Sequence, residues 1–504
     1  MSMLLGVRQS WIGDDEILDA PSNDAIPKDP ETPAVSATNR IREILVNEDI
    51  KAQWCVPALA HALIACFLTN LNFSMHIAFF PKTAMKEGLS TIGIGSVFAI
   101  HQLSFFLTTF FVPKMMQKTE SWNLLRFSIA PHAVVTGLLA LAVKIQGSYG
   151  FISYALILRA IEGCLSAVIE TTASEITKNS VPDEHLESTV AWIEAAKTAG
   201  IIFGPITGGG LHRVGGFECP MIFVSILLSL LFLVMLIPFQ GRDGPTPEDF
   251  NKESVLVIMK VPLFWIISLG ILTSCAAITF LEPTLQPLVS RFPYYYDEVD
   301  MGLLYLILIT AYALSASLAD RITQYIGTLI PLSVGLLSTG VGFFLISKPQ
   351  NKPLFNSALD VEKRYDHAAV GYIVGGLICM GIGSGLSLIT SSFIILEEAD
   401  FHNISREEVY TVVPWLVTIV YSIGSTIGPF FGGILDNSVG FARATQIISI
   451  IQTVVAVIVI VFYAIFLYHS SKRRQQTTEQ ETNNTPLLES HYDDQQQVTT
   501  IKSS

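Results

Sequence analysis

Charged residues are scarce in this chain: they make up 14% of its 504 residues, against about 25% in soluble domains. So little charge excludes a surface that faces water everywhere. No segment alternates apolar and polar residues in the way a membrane β-barrel requires. No nucleotide-binding motif is present, so ATP hydrolysis is not the expected drive. The six cysteines (Cys55, Cys66, Cys164, Cys219, Cys275 and Cys379) lie mostly in apolar segments, and no pair has metal-ligand spacing. They are expected to pack in the core, with no metal, no cofactor and no enzymatic chemistry. The N-terminal stretch resembles no cleavable signal, so the first membrane helix is expected to act as the signal. The net charge of −13 comes largely from loops and tails. It argues against a nucleic-acid partner and only weakly favours a cationic substrate.

What is present is hydrophobic length. Half of the residues are hydrophobic, and apolar runs of roughly 20 residues recur, enough to cross a hydrocarbon core about 30 Å thick. The chain therefore reads as an all-α, multi-pass membrane protein in a lipid bilayer. The runs predict helices 1 to 6 at about 55–79, 91–112, 124–145, 151–173, 188–211 and 221–240. Helices 7 to 12 follow at about 261–289, 301–319, 328–347, 367–396, 409–434 and 445–468. Residues 1–50 form an expected polar tail, with a disordered part to about 38 and a short interfacial helix from Arg40 to Ile50. The expected bundles are 51–240 and 260–469, joined by a Pro- and Gly-rich linker at 241–259 and followed by a polar tail at 470–504. Acidic loops are expected at Glu175 to Glu187 and around Glu397, Glu398, Asp400, Glu407 and Glu408. Twelve crossings put both termini on one side. Lys114, Lys118, Arg242, Lys260 and Lys472-Arg473-Arg474 make that side the cytosolic one under the positive-inside rule.

One pattern occurs twice. Gly200-x-x-x-Gly204-Pro205-x-x-Gly208-Gly209 returns as Gly424-x-x-x-Gly428-Pro429-x-x-Gly432-Gly433, a little under half a chain later. It implies two related halves, with one helix in each half doing the same job. Glycines at i, i+4 and i+8 clear one face for a neighbouring helix. The proline removes a backbone donor and bends the helix. Such helices at an interface between halves suit a rocking transporter. A static packing face is the plainer alternative.

The repeated motif resembles the antiporter signature of the major facilitator superfamily. Leu318-Ala319-Asp320-Arg321 after helix 8 resembles that superfamily's loop motif, while the equivalent stretch Val112 to Lys118 has lost the Asp. Shorter motifs resemble the vesicular amine transporters, closest to their polyamine branch. They are Phe79-Phe80-Pro81-Lys82, Arg159-x-x-Glu162, Glu194 ahead of the first motif, and Phe280-Leu281-Glu282-Pro283-Thr284-Leu285. The resemblance runs over about residues 55–468. It implies two pseudo-symmetric six-helix bundles. The acids that monoamine transporters carry are missing in helix 1, where Thr69-Asn70 stands, and in helices 10 and 11, which makes a monoamine a poorer substrate.

Charges inside membrane helices cost free energy and face a cavity or a partner. Arg159 and Glu162 lie at i, i+3 on helix 4, and Glu194 and Lys197 at i, i+3 on helix 5. Each pair either neutralises itself or belongs to a site. Glu282 has no basic residue within a turn and stands beside Pro283. It is the leading candidate for a group that binds a proton in one state and an amine in the other. Asn70, Asn72 and His76 are candidates to line the cavity. Tyr305, Tyr312 and Tyr421 could offer cation–π faces, with core packing as the alternative. His61, His101 and His132 read as packed or hydrogen-bonded residues rather than a proton relay, and Tyr294-Tyr295-Tyr296 as an interfacial anchor. The sequons at Asn72 and Asn403 are expected to be unused. Leu487-Leu488 resembles a dileucine signal for sorting adaptors.

The expectation is a monomeric secondary transporter of a vesicle or endolysosomal membrane, with the plasma membrane a further possibility, exchanging protons for an organic amine such as a polyamine. The rivals are a proton-coupled drug-type exporter, a carrier of another small solute, and a non-transporting scaffold or receptor.

Overall fold

A computed structural model describes residues 56–180, 186–237, 252–290, 296–348, 367–401 and 406–469. Twelve long helices occupy these segments. In chain order, α1 is Val56–Met75, α2 Thr91–Thr109, α3 Ser121–Leu139, α4 Ser148–Asn179, α5 Leu186–Gly215 and α6 Glu218–Met235. The second set is α7 Pro262–Val289, α8 Glu298–Ile326, α9 Leu329–Ser347, α10 His367–Phe401 and α11 Arg406–Val439, closed by α12 at Phe441–His469. Among the described residues, eleven helices are long and apolar enough to cross a membrane. The exception is α5, which carries Glu194 and Lys197 and the first glycine motif. Its low hydropathy has the same cause as its interest: polar groups in a span are placed there for partners or a cavity.

Local chemistry sets the helix ends. The Asp297 carboxylate accepts from the backbone N–H groups of Val299 and Asp300, while the Asp300 side chain accepts from the Asp297 N–H, which together cap α8. Gly440, at φ 78°, takes the left-handed conformation that separates α11 from α12.

Several helices outrun the lengths expected from hydropathy. The first acidic loop begins as helix, since α4 runs on to Asn179 and α5 starts at Leu186. Glu397, Glu398 and Asp400 lie within α10, and Glu407 and Glu408 within α11. Leu318-Ala319-Asp320-Arg321 sits inside α8 and not in a loop after it. Polar residues are compatible with helix once it leaves the hydrocarbon, so a hydropathy window ends too early. The exit from α1 is a 3₁₀ turn, His76–Ala78, followed by a short helix, Phe80–Lys86. Lys252–Lys260, at the end of the expected linker, is also helical. The N-terminal tail with its interfacial helix, Asn403, Leu487-Leu488 and the C-terminal tail lie outside the described residues.

Within the first set α1 packs on α5, α2 on α4, and α3 on α4 and α6; within the second α7 packs on α11, and α10 on α8 and α9. The two sets meet through α5 against α8 and α11 against α2. Exchanging the sets maps one seam onto the other, which is the pseudo-twofold the repeat implies. Helix α12 is 22% buried over its most apolar window and α1 67%. The outward face of α12, with Ile450, Val454, Val457, Val461 and Ile465 exposed, meets lipid, while α1 is central. Twelve crossings place the start of α1 and the end of α12 on one side, the terminal side.

Candidate functional site

The repeated glycines are where helix backbones touch. A Cβ on Gly200 would land on the Phe67 carbonyl oxygen, one on Gly204 on Ser74 and Leu71, and one on Gly208 on Met75, all on α1. In the second half Gly424 meets Leu272, Gly428 meets Ala276 and Thr279, and Gly432 meets Phe280, all on α7. The last glycine of each motif reaches the other bundle. Gly209 abuts the Glu298 carbonyl at the start of α8, and Gly433 abuts the Thr91 carbonyl at the start of α2. The favour is returned from the other side: Gly302 of α8 abuts the Pro205 carbonyl, and Gly95 of α2 abuts the Pro429 carbonyl. Three glycines therefore hold each bundle together, and the fourth joins it to its partner.

Polar contacts close the same side of the molecule, opposite the termini. Lys82 Nζ lies 3.0 Å from Glu298 Oε1, and the Lys82 N–H donates to Gln286 Oε1 at 2.9 Å. Gln286 Nε2 donates to the Ala78 carbonyl. His212 Nδ1 is 3.8 Å from Glu298 Oε1, and Arg213 Nη1 is 3.6 Å from Asp297 Oδ2. Each of these contacts joins one bundle to the other. Behind them, Phe79, Phe80, Phe98, Phe151 and Phe217 form an aromatic cluster, and Phe79 stacks on the His212 ring at 5.4 Å. Tyr296 packs partly buried against that core; Tyr294 and Tyr295 are outside the described residues.

Deeper in, α1, α3 and α4 build a buried charge network. Arg159 and Glu162 are 1% and 0% exposed, with Nη1 to Oε2 at 3.0 Å. Glu162 Oε1 also accepts from Thr136 Oγ1 at 2.9 Å and from Asn72 Nδ2 at 3.2 Å. Asn72 Nδ2 stands 3.1 Å from His132 Nε2. The His76 Nδ1 contact to the Asn72 carbonyl, 2.6 Å, requires the proton on that nitrogen. Arg159 Nη1, 3.5 Å from the same nitrogen, is then its neighbour and not its donor. Arg159 also lies over the Phe73 ring at 5.9 Å. The i, i+3 pair thus neutralises itself and is tied into a larger network. Arg159 Nη2, His76 Nε2 and His132 Nδ1 are buried without hydrogen-bond partners. His132 and Thr136, a turn apart on α3, join the group through Asn72 and Glu162.

A second group lies two turns along α4 toward the terminal side. Lys197 Nζ is 3.2 Å from Glu170 Oε2 and 3.2 Å from Glu194 Oε1. Asn70 Nδ2 donates to Glu170 Oε1 at 3.0 Å. Asn70 therefore belongs with Lys197, not with Asn72 and His76. Glu194 is not the buried acid that its place in the sequence suggested: its side chain is 58% exposed, while that of Glu170 is 15% exposed. Glu170 is the acid that sequence reading passed over. It sits at i+8 from Glu162, on the same face of α4, which was a readable signal.

Across the interface, Glu282 on α7 is 3% exposed. Its Oε2 has no hydrogen-bond partner, and the charge of Arg159 in the other bundle acts on it. The Tyr305 hydroxyl on α8, 2% exposed and also unpartnered, stands within electrostatic range of Glu282. Tyr312 and Tyr421 pack partly buried against the second bundle's apolar core. Asp320 is 5% exposed and accepts from Gln324 Nε2 at 3.1 Å, one turn on in α8, whereas Arg321 is exposed. Among the described residues no cluster of His, Cys, Asp and Glu suits a metal ion, and five of the cysteines are free thiols.

The Major Facilitator Superfamily profile matches residues 62–406. The chain is 25% identical over 391 residues to the MFS-type transporter SLC18B1 of Mus musculus, covering 76% of this chain and 80% of that one. It is 22% identical over 262 residues to the chromaffin granule amine transporter of Rattus norvegicus, covering 51% of this chain and 45% of that one. A bacterial homolog to the human lysosomal transporter Spinster, solved in an inward-facing and unoccupied conformation, shares the fold with a TM-score of 0.64 at 14% identity, over 82% of this chain and 98% of that one. With a profile match over most of its length, and with two bundles joined along paired glycine seams, the chain belongs to the Major Facilitator Superfamily and is a multi-pass membrane transporter, not an enzyme.

Proposed function

We propose that the protein exchanges protons for an organic amine, polyamine-like in charge, across a vesicle membrane, with its terminal side in the cytosol. The observation that carries this reading is the unpartnered Glu282 carboxyl. A buried carboxylate without a partner is costly. Such a group is favourable when it is protonated or when a cation sits against it. Those two occupants compete for one site, and that competition is the coupling of an antiporter. The bundles 51–240 and 260–469 would rock about the glycine seams, with 241–259 as the tether.

In the conformation described, the polar clasp holds the side away from the termini shut. An amine entering from the cytosol would meet Glu194 first and Glu282 deeper. Rupture of the clasp would expose Glu282 to the acidic compartment, where a proton displaces the amine. Arg159 is held by Glu162, so it leaves Glu282 free for the substrate. The amine in the name of the rat relative supports an amine for this chain, and the lack of an acid at Thr69-Asn70, from Thr390 to Leu396 and from Thr411 to Tyr421 supports a polyamine over a monoamine. The test is uptake by purified protein in liposomes under an imposed pH gradient, with polyamines, monoamines and neutral solutes in parallel. Acid-driven accumulation of spermidine is the expected result. Accumulation of a neutral solute that spermidine does not compete with would overturn the reading.

A further inference from the structure

The charges bordering the interior do not balance. Arg159 and Lys197 supply two positive charges, while Glu162, Glu170, Glu194 and Glu282 supply four negative ones. Arg159 is matched by Glu162, and Glu282 is left over. Lys197 is shared by Glu170 and Glu194, so one further negative charge is left over in that group. The two surpluses sit at different depths. Glu162 and Glu170 are eight residues apart on α4, which is about 12 Å along the helix axis. Glu282 lies near the Arg159–Glu162 level: it is one turn before Gln286, which donates to the Ala78 carbonyl, and His76, two residues before Ala78, stands 3.5 Å from Arg159 Nη1.

Two further observations mark the strip between these levels as a ligand surface. Ser166, one turn from Glu162 and one turn from Glu170 on α4, is 2% exposed and its Oγ has no partner. Thr69, beside Asn70 on α1, is 1% exposed and equally unpartnered. Buried hydroxyls are normally satisfied. Glu194 is 58% exposed, although its partner Lys197, at 3.2 Å, also reaches Glu170 inside the bundle, so this carboxylate stays open to a ligand.

We propose that Glu170, Glu194 and Asn70 around Lys197 form a second ammonium subsite, and that this subsite and Glu282 together select linear amines by the distance between their charged ends. This rests on the amine reading above and adds a length rule to it. A separation of about 12 Å corresponds to roughly ten bonds of extended chain, at ~1.2 Å per bond. A triamine with propyl and butyl spacers spans nearly that distance, and so does an eight-carbon diamine. A four-carbon diamine reaches about half of it and engages one subsite at a time.

The test is competition against labelled spermidine uptake in proteoliposomes by α,ω-diamines from four to twelve carbons. The expected optimum lies at eight to nine carbons, at least tenfold tighter than the four-carbon diamine. Glu194→Gln should collapse that eight-to-four preference toward unity. Its exposed side chain makes misfolding a minor concern, and Glu170→Gln serves as the second variant. A wild-type series with no length optimum, or an optimum that both variants retain, overturns the subsite while the amine reading survives. Absence of any amine uptake by the wild type overturns the amine reading and the subsite together.

Discussion

The doubled glycine at the end of each motif gives the sharpest prediction, because its two members face different partners. A Cβ on Gly208 would meet the Met75 backbone of α1, within its own bundle; a Cβ on Gly209 would meet the Glu298 carbonyl, and Val299 Cα at 3.2 Å, in the other bundle. Backbone atoms cannot rotate away as a side chain does. The α8 backbone cannot slide closer elsewhere either, since a Cβ at Gly302 would already meet the Pro205 carbonyl at 2.7 Å. Overpacking of this kind costs about 1–3 kcal/mol. For Gly208→Ala that cost falls on every conformation, because α1 and α5 stay together throughout. For Gly209→Ala it falls only on the conformation in which α5 and α8 touch, which shifts the shut-to-open ratio by about 5- to 150-fold. Cysteines at Arg213 and Asp297, which pair across the same side, would report that ratio by cross-linking in a background without native cysteines. Gly209→Ala should slow cross-linking by about an order of magnitude with little change in melting temperature. Gly208→Ala should lower the melting temperature and leave the relative cross-linking rate alone. If both variants melt early and cross-link like the parent, the seam is static packing and the rocking account of the motif is wrong.

Other outcomes follow from the charges. Arg159→Ala leaves the fully buried Glu162 without its counter-charge and should destabilise the protein by about 3–5 kcal/mol, read as a lower melting temperature in detergent. The double change Arg159→Met with Glu162→Met should restore most of that loss and remain inactive, which separates the pair's structural work from its role in transport. Burial opposes ionisation of Asp297, but backbone hydrogen bonds from Asp300 and Val299 and the Arg213 charge outweigh it and hold this carboxyl below its usual range. A depressed carboxyl contributes stability above its unfolded value of about 4 and loses it as pH falls through the lower folded value. The Arg213–Asp297 contact should therefore survive vesicular acidity. Native mass or fluorescence readouts of clasp closure that change between about pH 7.5 and 5.5 in an Asp297→Asn variant exactly as in the parent would assign that change to other groups, His212 among them.

The sequence was most readable where one physical constraint acts alone. Hydrocarbon thickness demands apolar runs, so twelve spans could be read from them, α5 included, although its polar residues leave it less apolar than the other eleven. Close helix approach demands glycine, so the seams could be placed from Gly200 to Gly209 and Gly424 to Gly433. Reading failed where partners are distant in sequence. Lys197 looked matched to Glu194 at i+3, but it also holds Glu170 from another helix. His132 read as packed or hydrogen-bonded, but its partner Asn72 arrives from α1 and could not be named in advance. The loop label on Asp320 failed because helix α8 continues past the membrane-length window. The clasp could not be read in advance, because Lys82 and Glu298, and Arg213 and Asp297, are distant in sequence and only the fold brings them together.

The central claim is that one carboxyl, Glu282, binds the proton and the amine in turn. The direct measurement is proton release from acid-loaded proteoliposomes, followed with an entrapped pH dye, on addition of spermidine outside. The wild type should release protons in proportion to the spermidine it accumulates. Glu282→Gln, folded as judged by its melting temperature, should release none. Proton release by Glu282→Gln at the wild-type rate would contradict the account.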